Sequence, residues 1–553
     1  MSDIREAARA WQAIDPDESD RAIVQRWLDD DDEASLRSAF GARLAFGTAG
    51  LRGPIQPGPG GMNRLAVRQV TAGLVDWLDT CEVDGPVVVG FDGRRGSAAF
   101  AADVARVVRA AGRAVLRFER VVPTPLVAFA VRATGAAAGV MVTASHNPPD
   151  DNGYKVFWGD GAQIVPPHDR GIAERVALGS VPVADDAGEP VPEKVVADYL
   201  DAVIGTRVHT DELAEVRVVY TPMHGVGREL VTEVLARAGH REVHVVAEQA
   251  EPDGRFPTVA FPNPEEPGAL DLAFALADRV GASVVVANDP DADRLAVAIP
   301  TDAGWRRLSG NEVGWLLADD LLTHGHHPEP RAVATTIVSS TRLSAMAEAH
   351  GVAYAETLTG FKWLARVSID HHDRGGTLVL GYEEALGYSA AGVVRDKDGV
   401  SAALLLVDLV AWLAARSQTL QDRLDALDRS FGVVKGRLCA RVHQGPSGRA
   451  RIEAGMAALR AAPPSTLGGA RVVRSLDLLT DADRGELPAS DVLAFTLEGG
   501  HRALVRPSGT EPKLKVYTEA RIEVIGDLDD ARARAERVAE GIEGDLLAVI
   551  DAV

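Results

Sequence analysis

The chain of 553 residues holds two cysteines, Cys81 and Cys439, which excludes a disulfide framework and a cysteine-built metal site. Basic charge is in deficit: 58 Lys and Arg face 80 Asp and Glu, giving a net charge of −22. That balance argues against a nucleic-acid partner. Lysine is scarcer still, 7 of the 58, with arginine taking the other 51. No run of about 18 apolar residues occurs, so no membrane-spanning helix and no membrane partner are expected. Met1-Ser2-Asp3-Ile4-Arg5-Glu6 lacks the apolar core of a signal peptide, and the expected compartment is the cytoplasm. What remains is the composition of a globular protein, 46% apolar and 25% charged, long enough for three or four domains.

Strand and helix periods alternate along most of the chain. Val87–Phe91 reads as a strand; Phe100, Val104, Val107, Val108 and Ala111 then form a helical stripe closed by Gly112, and Ala114–Leu116 resumes as strand. The pattern returns with Leu230 to Gly239 before Val243–Val246, and with Leu270 to Gly281 before Ser283–Ala287. Such repetition predicts parallel sheet with right-handed crossovers. After about residue 430, strand-like runs at Val433–Val442, Ala470–Val473 and Val492–Thr496 alternate less regularly with helices, which predicts a separate α+β domain closed by a long amphipathic helix. Expected linkers are Gly179–Glu193, the stretch near Pro300–Gly304, and Ser417–Gly432.

Two loops at strand ends carry the chemistry. Thr143-Ala144-Ser145-His146-Asn147-Pro148 follows the apolar run Gly139–Val142, and Asp289-Pro290-Asp291-Ala292-Asp293-Arg294 follows Ser283–Ala287. Ligands of open α/β sheets collect at the carboxyl ends of strands, where both loops are expected. A serine hydroxyl needs a base, a metal or prior phosphorylation to react. No third residue completes a Ser-His-Asp triad, and adjacent Ser145 and His146 are not expected to pair as one does; the loop alone also reads as an Asn-Pro turn. The Asp loop is not an EF-hand, because its sixth position is Arg294 and its twelfth is Pro300. It reads as a solvated acidic turn or, since a buried strand leads into three carboxylates that repel one another, as a cage for a divalent ion. A phosphate on Ser145 facing that ion makes a phosphoryl-transfer centre.

Five of the scarce lysines, Lys155, Lys362, Lys397, Lys513 and Lys515, fall in or beside candidate loops, where a compact ammonium differs physically from a guanidinium fork. Arg506-Pro507-Ser508-Gly509-Thr510-Glu511-Pro512 joins a guanidinium, two hydroxyls and a glycine, as a phosphate cradle would. An ordinary surface turn fits it equally. Thr359-Gly360-Phe361-Lys362 and Gly381-Tyr382-Glu383-Glu384-Ala385 are further polar loops, the two glutamates reading as ligand contacts or as a solvated pair.

These motifs, in this order and over nearly the whole chain, resemble the α-D-phosphohexomutase superfamily, and within it the phosphoglucomutase/phosphomannomutase-like enzymes. Phe46-Gly47-Thr48-Ala49-Gly50-Leu51-Arg52-Gly53 resembles the family's amino-terminal active-site loop, and Arg395-Asp396-Lys397-Asp398-Gly399 a segment lining its cleft. The resemblance implies three similar mixed α/β domains plus a C-terminal α+β domain around one central cleft. Boundaries are expected at 1–205 (phosphoserine), 206–310 (metal), 311–430 (sugar recognition) and 431–553 (phosphate binding). It implies that Ser145 is phosphorylated and that Mg²⁺ is held by Asp289, Asp291, Asp293 and the group on Ser145. His146, Lys155 and Arg52 are implied for proton transfer or charge stabilisation, the general base among them left open because it depends on geometry. Substrate contacts are implied at Arg294, Thr359, Gly360, Lys362, Glu383 and Lys397, with Arg506, Ser508, Gly509 and Thr510 holding the phosphate that is not reacting.

The implied reaction moves a phosphoryl group between the 1 and 6 positions of a hexose through a bisphosphate that reorients, with glucose 1,6-bisphosphate or another sugar bisphosphate as activator. Partners are then small sugar phosphates, and the chain is a monomer or small homo-oligomer. One departure bears on the sugar. Where many relatives have Ser two residues after the Glu matched by Glu383, this chain has Ala385, so one hydroxyl contact is missing. Glucose phosphate comes first, mannose phosphate next, and a pentose phosphate stays open. A glucose 1,6-bisphosphate synthase would share every motif. A dehalogenase-like phosphatase would use the first Asp and dispense with Ser145, and a non-catalytic sensor would not need the complete set.

Overall fold

β-branched runs bounded by glycine and proline form the strands that carry both loops. The computed structural model describes residues 2–47, 50–442, 448–508 and 513–552, and the chain divides into two units, residues 1–331 with 364–417 and residues 332–363 with 418–553.

In the first unit a mixed sheet has the order β1 (Leu51–Pro54), β5 (Asp151–Trp158), β4 (Ala138–Val142), β2 (Val87–Phe91), β3 (Val115–Arg117), β6 (Glu189–Pro190). β2 is parallel to both β3 and β4, and β5 is antiparallel to β4 and β1. Helices Arg64–Thr80 and Ser97–Ala110 bury Val67, Val70, Leu74, Val104 and Val108 against it. A second mixed sheet has the order β11 (Gly304–Arg307), β10 (Ala296–Thr301), β9 (Val284–Ala287), β7 (Val218–Thr221), β8 (Val243–Val245), with β7 parallel to β8 and β9. The antiparallel hairpin β14 (Thr377–Glu383)–β15 (Gly387–Ala390) also belongs to this unit. Three helices at the amino terminus, Ser2–Ile14, Glu18–Asp29 and Glu33–Phe40, pack Trp11, Val24, Leu36 and Phe40 against Leu65 and Ala66 of helix Arg64–Thr80.

In the second unit the parallel pair β12 (Arg331–Thr336)–β13 (Ala353–Thr357) runs through residues 332–357. An antiparallel sheet follows, in the order β16 (Val433–Val442), β21 (Lys513–Ile522), β20 (Arg502–Pro507), β19 (Leu493–Leu497), β18 (Ala470–Asp477), β17 (Thr466–Leu467). Helices Gly448–Ala461 and Leu528–Asp551 cover it, burying Ile452, Met456, Leu459, Ile542 and Leu546 against Phe495, Val505 and Val516.

Two expected linkers are structured. Ser417–Gly432 contains the helix Leu420–Phe431, started by a capping box between Thr419 and Asp422 and burying Leu420, Leu424 and Leu427. The polar residues that suggested a linker are the outer face of an amphipathic helix. Pro300–Gly304 is the turn of the β10–β11 hairpin. No helix among the described residues is long and apolar enough to cross a membrane.

Candidate active site

The serine loop leaves β4 through a backbone conformation that side chains rarely adopt. Ser145 has φ 52°, a left-handed state that costs a non-glycine residue roughly 1–2 kcal/mol, and the surrounding contacts hold it there. The Ser145 amide donates to Thr143 Oγ1 at 2.8 Å, and Thr143 Oγ1 donates to Asp92 Oδ2 at 2.6 Å. Arg94 NH2 donates to the carbonyls of Ser145 and Asn147 at 2.5 and 2.6 Å, and its NH1 to those of Pro148 and Asp151 at 2.8 and 3.1 Å. Burial works against the charges of both Asp92 and Arg94, and their 3.5 Å ion pair offsets that cost in part. Arg52 NH1 reaches the loop from β1, donating to Asn147 Oδ1 at 3.0 Å.

The Ser145 hydroxyl donates to Asp289 Oδ2 at 2.8 Å, across 144 positions of sequence. His146 Nδ1 lies 3.2 Å from Ser145 Oγ, so the adjacent serine and histidine do meet, although the hydroxyl donates to Asp289 and not into a triad. Burial, with Arg294 and Arg52 nearby, holds His146 well below the ordinary imidazole range, hence neutral.

Asp289, Asp291 and Asp293 are buried, and one carboxylate oxygen from each lies within 4.8 Å of the others. Ala292 takes φ 53°, a local turn that brings alternate residues of the loop to one side. Lys155 Nζ, from β5, donates to Asp291 Oδ2 at 2.7 Å and Asp293 Oδ2 at 2.9 Å. Lys397 Nζ is 3.3 Å from Asp293 Oδ2, and Thr124 Oγ1 donates to Asp291 Oδ2 at 2.5 Å. Burial disfavours every charge here. It pushes Asp289 well above the carboxylate range, helped by Asp291 and Asp293, whereas Lys155 outweighs it at Asp291 and holds that group well below. Burial likewise opposes the charge on Lys155, but Asp291 and Asp293 win and its pKa is raised.

The donor set fits a hard divalent cation: all three ligands are carboxylates, and Asp291 Oδ1 and Asp293 Oδ1 are buried without a hydrogen-bond partner among the described residues. Such an ion would reverse the mutual repulsion that raises Asp289.

The β14–β15 turn is stitched to this loop. Arg294 bridges to Gly387, and the Leu295 amide donates to the Leu386 carbonyl at 3.0 Å. Burial opposes the charges of Arg294 and Lys397, but Asp289 and Asp293 at the first and Asp293 and Asp396 at the second raise both pKa values, and Glu383, at the end of β14, adds a smaller contribution to each. Arg52, Ser145, His146, Lys155, the three aspartates, Arg294, Glu383 and Lys397 are thus held in the first unit. In the second unit Arg506 NH1, at the end of β20, donates to Thr359 Oγ1 at 2.6 Å. Gly360 follows at φ 110°, Lys362 Nζ lies 5.9 Å over the Trp363 ring, and the Ser508 amide donates to the Lys513 carbonyl at 2.8 Å. Gly509 and Thr510 lie outside the described residues. Sequence reasoning missed Asp92, Arg94 and Thr124. The signal was present for the first two, because Asp92-Gly93-Arg94 follows β2 at the same carboxyl edge as the serine loop.

The serine loop facing a buried carboxylate cage fits a phosphoryl-transfer enzyme. Models of the phosphoglucomutase/phosphomannomutase family match the chain at residues 43–180, 197–304 and 309–430 (alpha/beta/alpha domains I, II and III) and at 457–535 (C-terminal domain). The chain is 42% identical to a Haemophilus influenzae protein named "Probable phosphomannomutase", over 83% of this chain and 93% of that one. It is 37% identical to the human phosphopentomutase, over 92% and 90%. A phosphoglucomutase/phosphomannomutase family protein from Burkholderia thailandensis shares the fold, with a TM-score of 0.67 at 20% identity, covering 92% of this chain and 97% of that one. The chain belongs to the phosphoglucomutase/phosphomannomutase family within the α-D-phosphohexomutase superfamily. It is a phosphomutase, an isomerase-class phosphotransferase, and the family is Mg²⁺-dependent.

Proposed function

We propose that the enzyme moves a phosphoryl group between two hydroxyls of one sugar, with Ser145 as the carrier and a sugar bisphosphate formed between the two transfers. The observation that supports this most directly is the Ser145 hydroxyl, 2.8 Å from Asp289 at the edge of a buried three-carboxylate cage. Phosphorylated Ser145 donates its group to a sugar hydroxyl: a new O–P bond forms, the Oγ–P bond breaks, and the proton lost by the sugar is returned to Oγ. His146 Nδ1, 3.2 Å from Oγ, is the group for that exchange. Asp289, Asp291 and Asp293 would hold the ion, which would supply positive charge against the transferring phosphoryl group. Lys155 and Arg52 add fixed positive charge beside it. Glu383, Arg294 and Lys397 contact the sugar. Arg506, Ser508, Gly509 and Thr510, with Thr359, Gly360 and Lys362, take the phosphate that is not reacting. The roles divide over segments 1–205, 206–310, 311–430 and 431–553.

The substrate reading is a hexose phosphate, glucose 1-phosphate and 6-phosphate first and mannose phosphates second, with a sugar 1,6-bisphosphate as activator. A pentose phosphate is a second reading, favoured by Ala385 in the sugar loop and by the 37% identity to a phosphopentomutase.

Intact mass should show about 80 Da added to part of the purified protein, one phosphoryl group. Ser145→Ala should remove both that addition and mutase turnover. Normal turnover in the alanine variant would sink the mechanism. A coupled assay across glucose, mannose and ribose 1-phosphates with trace bisphosphate ranks the sugars, and ribose 1-phosphate turning over fastest would overturn the hexose reading.

A further inference from the structure

Away from the carboxylate cage, and used by nothing in the reaction, two histidines and an aspartate converge in the first unit. Asp320 and His324 stand four residues apart in the last turns of helix Gly310–His324, so both project from one face. His209 comes from the segment after helix Glu193–Ile204, and its Nε2 lies 2.7 Å from Asp320 Oδ1. The His209 and His324 rings are 5.0 Å apart, centroid to centroid, and Trp412 stacks on His209 at 4.5 Å and contacts His324 at 4.7 Å. One ligand atom from each of His209, Asp320 and His324 falls within 4.8 Å of the others.

We propose that His209, Asp320 and His324 form a second metal site, built for a Zn²⁺-class ion and distinct from the Mg²⁺ cage. Two imidazoles and one carboxylate are the donor set of that borderline ion, whereas the all-carboxylate cage suits a hard one. Ligands at about 2.0–2.2 Å from a tetrahedral centre stand about 3.3–3.6 Å apart, so closing the site takes shifts of about an ångström, with His209 Nε2 and Asp320 Oδ1 parting from 2.7 Å. Much of it is already in place. Arg207, two residues before His209, is fixed by a bidentate pair to Asp408 at 2.7 and 3.1 Å, and the helix end that carries His324 favours positive charge. His209 and Asp320 are buried, while His324 and Trp412 are partly buried, so the site lies near the surface on the His324 side. Binding replaces the His209–Asp320 hydrogen bond: Nε2 gives up its proton, which moves to Nδ1 in a neutral ring or to solvent from an imidazolium, and both partners turn their lone pairs to the ion. The ion then ties the segment matched by family domain II to a helix matched by domain III.

The test is calorimetric titration of Zn²⁺ into chelator-treated full-length protein, with Mg²⁺ in excess to fill the carboxylate cage. One site is expected. His324→Ala and His209→Gln should each weaken it about 100-fold or more, at least matching the loss seen when a supporting shell is removed. Glutamine at position 209 keeps a hydrogen bond to Asp320, which protects the fold, and mutase activity under Mg²⁺ should persist in both variants. Zn²⁺ should also change tryptophan fluorescence in the wild type, and Trp412→Phe should abolish most of that change while keeping the heat. No binding heat in the wild type, or undiminished binding in His324→Ala, would overturn the site. The second result would mean that the ion sits elsewhere.

Discussion

Ser145, the proposed phosphoryl carrier, is positioned without a triad. Its left-handed backbone is not a local preference; it persists because Thr143, Asp92 and Arg94 saturate the polar groups around it. Arg94 is the residue with most to lose. It touches four loop carbonyls, a geometry that a fork of donors meets and a single ammonium cannot. Arg94→Lys should therefore leave the chain folded but let the hydroxyl wander. Misplacement by about 1 Å costs around 100-fold in rate, so kcat should fall 10- to 100-fold with KM within about twofold. A change confined to KM would show that Arg94 serves binding instead.

Among elements, the helix Gly399–Ala414 ties stability to the site. Its N-cap, Asp398, accepts from the amides of Val400 and Ser401 and from the Tyr199 hydroxyl at 2.8 Å. Its first residue has to be glycine, because a Cβ there would meet the Arg294 carbonyl oxygen at 2.3 Å. Asp398→Ala removes a cap worth about 1 kcal/mol and strands a buried hydroxyl at about 1–3 kcal/mol. A loss of roughly 2–4 kcal/mol should register as a lower denaturant midpoint, and an unchanged midpoint would refute the cap. The amino-terminal helices carry a pH dependence. Burial, with Asp15 and Asp17 beside it, pushes the Asp20 carboxyl from 3.8 up to about 7. Between those values the folded state holds a proton that the unfolded chain has released, so this group's contribution becomes less favourable as pH rises through that window. Asp20→Asn should raise the Tm at pH 8 and change it little at pH 4. A Tm lowered at pH 8 would show instead that the fold favours the ionised carboxyl.

For the whole molecule, phosphomutase chemistry sets a symmetry requirement. Under the proposed bisphosphate mechanism each phosphate of the sugar is in turn the one that does not react, so the residue that grips it serves both directions equally. Arg506, which donates to Thr359 at 2.6 Å, takes that grip in the proposed mechanism. Losing a charged hydrogen bond costs roughly 1.5–3 kcal/mol, so Arg506→Ala should lower kcat/KM about ten- to a hundredfold in both directions. Ser145 should keep its phosphoryl group, and an effect in one direction alone would contradict a shared grip.

The chemistry was legible wherever it is local. A buried β-branched strand running into Thr143–Pro148 or Asp289–Arg294 announces a ligand loop, because strand, turn and polar cluster all lie within about a dozen residues. The helix Leu420–Phe431 carries a leucine stripe and a Thr419 cap, but its polar outer face led the segment to be read as a linker. What the tertiary structure alone decided are pairings across long stretches of chain. Lys155 meets Asp291 and Asp293 from 136 and 138 residues away, Arg94 gathers carbonyls more than 50 residues on, and Ser145 turns toward both His146 and Asp289. No periodicity encodes those contacts. They follow from which strand edges the sheets bring side by side, and burial then makes each unpaired charge costly enough to select its partner.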